Sequence, residues 1–139
     1  MIHGKLLGSF KSAPVMGPTH TASDATSTFP IFQAPFDCTI VAVRAIYQTL
    51  VTGADTNTHH INIDTRTSAG ATAVEIASRD HVNGEDAAAN EVHTFTNTGT
   101  AAQLNLDEDA FVFVEYEEIG NGGAVVFTNT WFTVEYRAR

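Results

Sequence analysis

Histidines are the residues of this sequence that could most readily bind a metal. The chain has six of them, and His59 and His60 are neighbours in a segment where apolar and polar residues alternate. Successive side chains of a strand point to opposite faces, so these two could not bind one ion together. Jelly-roll metal enzymes place histidines at i and i+2, whereas His59 is followed by Asn62 and Asp64. We therefore expect no metal and no cofactor, with the histidines at the surface or rim.

Paired carboxylates could carry out glycoside hydrolysis. Glu115 and Glu117 lie on one side of a predicted strand, and residues 107–109 form an acidic turn. A catalytic pair comes from separate strands facing a cleft, whereas glutamates at i and i+2 commonly form a solvated strand face. The acidic turn could supply carboxylates to calcium, but it lacks the calcium-loop pattern. Since no nucleophile elbow or phosphate-binding loop is present either, we predict that the protein is not an enzyme and assign no catalytic residue.

Aromatic side chains could instead bind sugars if they are exposed. The candidates are Trp131, Tyr47, Tyr116 and Tyr136, and the residues beside the single tryptophan have the pattern of a core strand. Carbohydrate binding therefore stays open as an alternative to a purely structural role.

Charge and composition narrow the possible partners. The chain has 139 residues with 7 Lys+Arg against 16 Asp+Glu, a net charge of −9. Nucleic-acid binding needs clustered cations, and these are scattered, so we expect no direct nucleic-acid contact and no membrane. Cys38 is the only cysteine, which excludes an internal disulfide. Residues 1–10 lack the apolar stretch of a secretory signal, so we expect synthesis in a cytoplasm.

The chain alternates between apolar strand patterns and turn residues. The clearest strand segments are 37–51, 59–64, 91–96 and 110–119, although a helix over 40–50 is an alternative. Turns are expected at 52–57 and 120–123, where glycine and asparagine cluster. Together these segments predict an all-β fold, an antiparallel β-sandwich or jelly roll of about eight strands.

The N-terminal segment differs from the rest of the chain in composition and in its lack of an apolar pattern. Residues 11–28 contain prolines, a glycine and a Ser/Thr/Ala tract without apolar periodicity. We predict that 1–28 forms a short strand and an extended arm, and that 29–139 forms the sandwich domain. The segment could be a floppy connection or an arm that contacts a neighbouring subunit. In the second case the candidate contact residues are Pro14, Val15, Met16 and Pro18.

A series of segments resembles a known kind of protein. They are Phe36–Arg44, Gly53–Asn57, His60–Ile63, Leu104–Leu106, Phe111–Glu115 and Thr133–Tyr136. Over 29–139 the chain is similar to the jelly-roll head decoration, or cement, proteins of tailed bacteriophages, although no single motif is diagnostic of them.

The resemblance implies a structural role in the virion. Proteins of this kind bind the major capsid protein on the outer capsid surface, commonly as homotrimers, and tie neighbouring capsid subunits together. A carbohydrate- or receptor-binding β-sandwich module of a phage tail or fibre is the alternative. A metal-dependent jelly-roll enzyme is a weaker third possibility.

Overall fold

The computed structural model describes residues 8–21, 26–54, 59–68, 70–118 and 126–139. The predicted turn at 120–123 and the second half of the turn at 52–57 lie outside these ranges. No helix of the described residues is long and apolar enough to cross a membrane. Eleven strands occur in the described ranges: β1 (Phe10–Lys11), β2 (Val15–Met16), β3 (Ser27–Gln33), β4 (Cys38–Tyr47), β5 (His59–Arg66), β6 (Val74–Asp80), β7 (Val92–Thr94), β8 (Thr96–Asn97), β9 (Asn105–Leu106), β10 (Phe111–Glu118) and β11 (Thr130–Ala138).

The strands form two antiparallel sheets that face each other. The first sheet has the order β1-β11-β4-β7, with β2 also on β11 and β9 also on β4. The second has the order β3-β10-β5-β6-β8. The pairs are nested along the chain: β1 and β2 with β11, β3 with β10, β4 with β7, and β5 with β6. This is a long hairpin rolled into a sandwich, which confirms the predicted jelly roll.

The core lies between the inner faces of the two sheets. The alternating pattern of β5 turns Ile61 and Ile63 inward, and both are fully buried. They meet residues of the first sheet such as Phe132 and Val134, which are also fully buried. Each such side chain contributes about 1.5–3 kcal/mol through burial, so the stability of the fold rests on this layer.

A bulge in β4 changes which residues face the core. Cys38 and Ile40 are buried, and so are Val43 and Ala45, although the two pairs have opposite parity along the strand. The pairing with β11 shifts register at this point, where Val41 is the extra residue. The helix proposed as an alternative for 40–50 is wrong, because most of these residues belong to β4.

Residues 10–17 of the N-terminal segment lie along β11, whereas Ser27 and Thr28 already belong to β3. Strands β1 and β2 pair with β11, and the amide of Gly17 donates to the Thr130 carbonyl at 2.8 Å. His20 and Phe127 exchange backbone hydrogen bonds of 2.8 and 2.9 Å, and the side chain of His20 is buried. Residues 10–20 therefore occupy the position of the first strand of the roll.

Candidate docking face

Four exposed apolar side chains form a continuous row across the first sheet. Met16 pairs with Trp131, Trp131 pairs with Ile46, and Ile46 pairs with Val92. Their exposed fractions are 51% for Met16, 41% for Trp131, 36% for Ile46 and 59% for Val92. We call these four residues the apolar row, and the outer surface of the first sheet the docking face.

Strand alternation explains why the row points outward. Thr130 and Phe132 face the core and are fully buried, so Trp131 between them faces solvent. Ala45 and Tyr47 likewise point inward on either side of Ile46. Neighbouring strands lie about 4.8 Å apart, so a row that crosses four strands is about 14 Å long. The arrangement is a flat strip of apolar surface rather than a cavity.

Charged residues lie along the docking face beyond the row. Arg44 donates to Glu135 at 2.6 Å, and the hydroxyl of Ser9 donates to the same carboxylate at 2.5 Å. Both hydrogen bonds lower the pKa of Glu135, and the one from Ser9 has the larger effect. Lys11 is paired in register with Glu135, and Arg137 with Thr39. The docking face therefore holds three cations and one carboxylate.

The outer surface of the second sheet has the opposite character. We call it the acidic face, because strand register brings five carboxylates onto it: Asp64, Glu75, Asp80, Glu115 and Glu117. The cations beside them are Arg66, whose guanidinium lies 4.4 Å from the centre of the Phe113 ring, and His60. The two outer faces of the sandwich thus differ in sign of charge.

His60 joins two strands of the acidic face. Its Nδ1 lies 2.8 Å from Asp80 Oδ1 and its Nε2 lies 2.6 Å from Glu117 Oε2. An imidazole can donate to two carboxylates only when both nitrogens carry protons, so this geometry fits the charged ring. Burial lowers the pKa of His60, but the hydrogen bonds to Glu117 and Asp80 outweigh it and leave the pKa raised. The hydrogen bond with His60 in turn lowers the pKa of Glu117.

Asp64 is the buried member of the acidic face. Its side chain is only 6% exposed, and its nearest cation, Arg66, is 3.8 Å away. Desolvation, followed by the negative charge of Glu115, raises the pKa of this carboxyl to about 6.

The residues predicted as neighbour contacts are placed on the edge of the first sheet. Met16 belongs to the apolar row, whereas Val15 points inward and packs against the core. Pro14 and Pro18 flank them and are exposed. The structure therefore brings one of the four candidates together with the row, and their contact with a neighbouring subunit stays a prediction.

Two histidines depart from the predicted surface or rim positions, whereas His60 lies on the outer acidic face. His20 and His81 are buried, and both rings pack against Phe127. His81 Nε2 lies 3.3 Å from the Tyr47 hydroxyl, and burial is the main cause that lowers the pKa of His81 to about 4. Aromatic surroundings hold these rings in the core, which the sequence pattern did not indicate. The side chain of His59 lies outside the described residues.

The other sequence candidates are distributed over separate places. No group of three or more metal-ligating side chains occurs among the described residues. In the acidic turn, Asp107 accepts a hydrogen bond of 2.5 Å from Arg139, and Asp109 accepts one of 3.2 Å from Gln33. Of the aromatic candidates, Tyr47 and Tyr116 are fully buried and Tyr136 packs partly buried against the core, which leaves Trp131 as the well exposed ring.

A cleft of about 290 Å³ lies at one end of the sandwich. It is lined by residues of the β5–β6 connection and of the segment around β9, among them Thr65, Thr72 and Gln103. Its charged lining residues are Arg66, which lies against Phe113, and Asp107, which is bonded to Arg139. Both charges already have partners, so the apolar row is the stronger candidate for a functional surface.

Comparisons with known proteins assign no family. No protein-family model matches the chain, and no curated protein matches it. Among solved structures the chain is similar to one in the structure of infectious bursal disease virus, Gx strain, with 12% identity and a TM-score of 0.39. The match covers 91% of this chain and 32% of that chain. A likeness of this extent is too low to assign a role.

Proposed function

We propose that this protein is a virion structural protein of a tailed bacteriophage that binds the outer capsid surface. In this role it contacts the major capsid protein, acts as a homotrimer, and bridges neighbouring capsid subunits as a decoration protein does. The observation that carries the proposal is the apolar row from Met16 to Val92, which crosses four strands of the docking face.

An exposed apolar row on an otherwise well-packed domain calls for a partner. Isolated apolar residues on a surface need no explanation, but contiguous ones mark interaction sites. Tryptophan is also the residue type most enriched among those that dominate binding energy. Trp131 lies inside the row, between Met16 and Ile46, so it is placed as the central anchor of an interface.

The geometry supports a protein partner more than a sugar. Ligand sites for small molecules are concave and place polar groups beside their apolar walls. Trp131 instead lies on a flat strand surface with Met16 and Ile46 as its cross-strand neighbours. Neither neighbour can hydrogen-bond to a sugar hydroxyl. The exposed ring is the one observation that favours the carbohydrate-binding alternative.

Trimer formation would strengthen a modest contact. Once one protomer is bound, the second and third bind at high effective concentration, so the trimer gains affinity beyond any single interface. A bound trimer also joins the capsid subunits under its three protomers, which supplies the bridging. Sedimentation equilibrium should give three times the 14.9 kDa of one chain, and a monomer at all concentrations would contradict this part of the proposal.

Co-sedimentation with cognate expanded capsids tests the proposed function. The double variant Trp131→Ser/Ile46→Thr should bind at least about tenfold more weakly, because hot-spot side chains contribute 2 kcal/mol or more. Val74→Thr is the matched control, since Val74 is exposed to the same 36% as Ile46 but lies on β6 of the other sheet. An unchanged melting temperature would show that each variant is folded.

Three results would count against the proposal. Wild-type protein that stays in the supernatant at every concentration would refute the capsid-binding role. Equal binding by the double variant and wild type would remove the apolar row from the mechanism. Strong binding to defined glycans that is lost in Trp131→Ala would favour the carbohydrate-binding module. Deletion of 11–28 is a poor test, because it would remove β2 and the buried ring of His20.

A further inference from the structure

The apolar row is too small to form a stable interface alone. Specific protein interfaces bury about 800 Å² on each partner, and a row of four side chains about 14 Å long covers only part of that. A partner that covers Trp131 must therefore also cover the neighbouring positions along β4 and β11.

Those neighbouring positions carry positive charge. Moving along β11 away from Trp131, the outward residues are Thr133, Glu135 and Arg137. Their cross-strand neighbours include Arg44 and Lys11. A footprint of ordinary size would bury these charges at least partly.

The three cations of the docking face differ in how closely they are paired with a carboxylate. Arg44 is neutralised by Glu135 at 2.6 Å. Lys11 and Arg137 are exposed and form no ion pair within the described ranges, although the charge of Lys11 contributes to lowering the pKa of Glu135. Burying a charge without a partner costs several kcal/mol, so a surface that covers Lys11 and Arg137 must supply acceptors of its own.

The charge difference between the two outer faces favours one orientation of the molecule on an acidic surface. The acidic face carries five carboxylates and the docking face one. Although the whole chain has a net charge of −9, an acidic surface would attract the docking face and repel the acidic face. Such asymmetry orients an encounter and speeds association.

We propose that the capsid site covered by the docking face is apolar at its centre and acidic at its edge, where carboxylates face Lys11 and Arg137. This inference rests on the proposed function and specifies the chemistry of the partner surface. It also sets the orientation, with the apolar row against the capsid and the acidic face toward solvent.

The test compares capsid binding by two variants with the same change in net charge. Lys11→Gln/Arg137→Gln removes two positive charges from the docking face. Thr28→Glu/Thr67→Glu adds two negative charges at exposed positions associated with the second sheet. Wild-type affinity should fall as NaCl rises from about 50 to 500 mM. At low salt the first variant should bind about tenfold more weakly, with a flatter salt dependence, and the second should stay close to wild type.

The outcomes separate this inference from the proposed function. If wild-type protein binds and Lys11→Gln/Arg137→Gln has the same affinity and salt dependence, the acidic partner site is refuted while capsid binding stands. Equal weakening by both variants would also refute it, because the effect would then follow net charge alone. If wild-type protein binds at no salt concentration, the proposed function fails and this inference fails with it.

Discussion

Replacing Asp64 by asparagine should change the pH dependence of stability in a direction that the structure fixes. The Asp64 carboxyl is almost completely buried on β5, with Arg66 3.8 Å away on the same strand. Glu75 on β6, together with Glu115 and Glu117 on β10, adds negative charge around it. Desolvation is the largest effect, and with these charges it raises the pKa of Asp64 from 3.8 to about 6.

The sign follows from the raised pKa. Because the folded protein holds the Asp64 proton more tightly than the unfolded chain, ionisation of this group costs stability. Ionisation of Asp64 does not affect the free energy of unfolding below about pH 4. Between about pH 4 and pH 6 it lowers the free energy of unfolding progressively, and above about pH 6 the loss is constant. A pKa raised from 3.8 to about 6 corresponds to up to about 3 kcal/mol of lost stability when Asp64 is ionised. Asp64→Asn cannot ionise at this position. The free energy of unfolding of the variant minus that of wild type should therefore be up to about 3 kcal/mol larger at pH 7.5 than at pH 4.

Urea denaturation of both proteins from pH 4 to 8 measures this difference directly. Subtracting wild type from variant at each pH cancels the groups that the two proteins share. Glu91→Gln is the control, since it removes a carboxylate from an exposed position, and its difference from wild type should vary little with pH. A difference for Asp64→Asn that stays flat or falls as pH rises would refute the reasoning.

Two further predictions concern packing and the acidic face. Gly17→Ala should destabilise by about 1–3 kcal/mol in thermal melts, because a Cβ there would lie 2.5 Å from the Tyr116 hydroxyl; Gly70→Ala has nothing within 4 Å and serves as control. His60→Gln should lower the free energy of unfolding by about 0.5–1 kcal/mol at pH 5.5, because it loses a charged link to Glu117. That loss should shrink as pH rises through the raised pKa of His60, and an equal loss at pH 9 would contradict the charged-ring interpretation.

The sequence was most informative where one pattern held along a whole strand. In β5 the alternation places Ile61 and Ile63 inward and His60, Asn62 and Asp64 outward, and the structure confirms the buried isoleucines. Each residue of such a strand faces one side, so hydrophobicity alone fixes its orientation. The overall fold class followed from many such segments.

Prediction from pattern failed at the end of one strand and at the bulge of another. In β6, Val74 and Ile76 share parity and would both point inward in a regular strand, yet Val74 is 36% exposed while Ile76 is fully buried. The register pairs Val74 with the buried Thr65, so Val74 is on the inner side of the sheet but lies where the cleft opens at the end of the sandwich. In β4 the extra residue at Val41 changes the parity of the buried positions, from Cys38 and Ile40 to Val43 and Ala45. A bulge depends on how two strands pair, and one strand's sequence does not contain that information.

The apolar row could be predicted only in part, for a related reason. The residues flanking Trp131 are apolar or β-branched, and alternation through Phe132 and Val134 would have placed the tryptophan outside the core. Met16, Ile46 and Val92 come from distant parts of the chain, and only strand register puts them in line with it. The sequence signal for such a surface is a large apolar residue at a strand position whose two neighbours both face the core.

The same alternation separates folding from binding in this sandwich. Inward residues such as Phe132 stabilise the fold, while the next residue, Trp131, is free to meet a partner. Polar substitution at Trp131 removes little area that folding had buried, so it should leave the melting temperature near that of wild type. Alanine at Phe132 should cost about 3–5 kcal/mol without touching the docking face. If Trp131→Ser unfolded the domain, the row would be part of the core layer and not a surface at all, and every argument that starts from its exposure would fail.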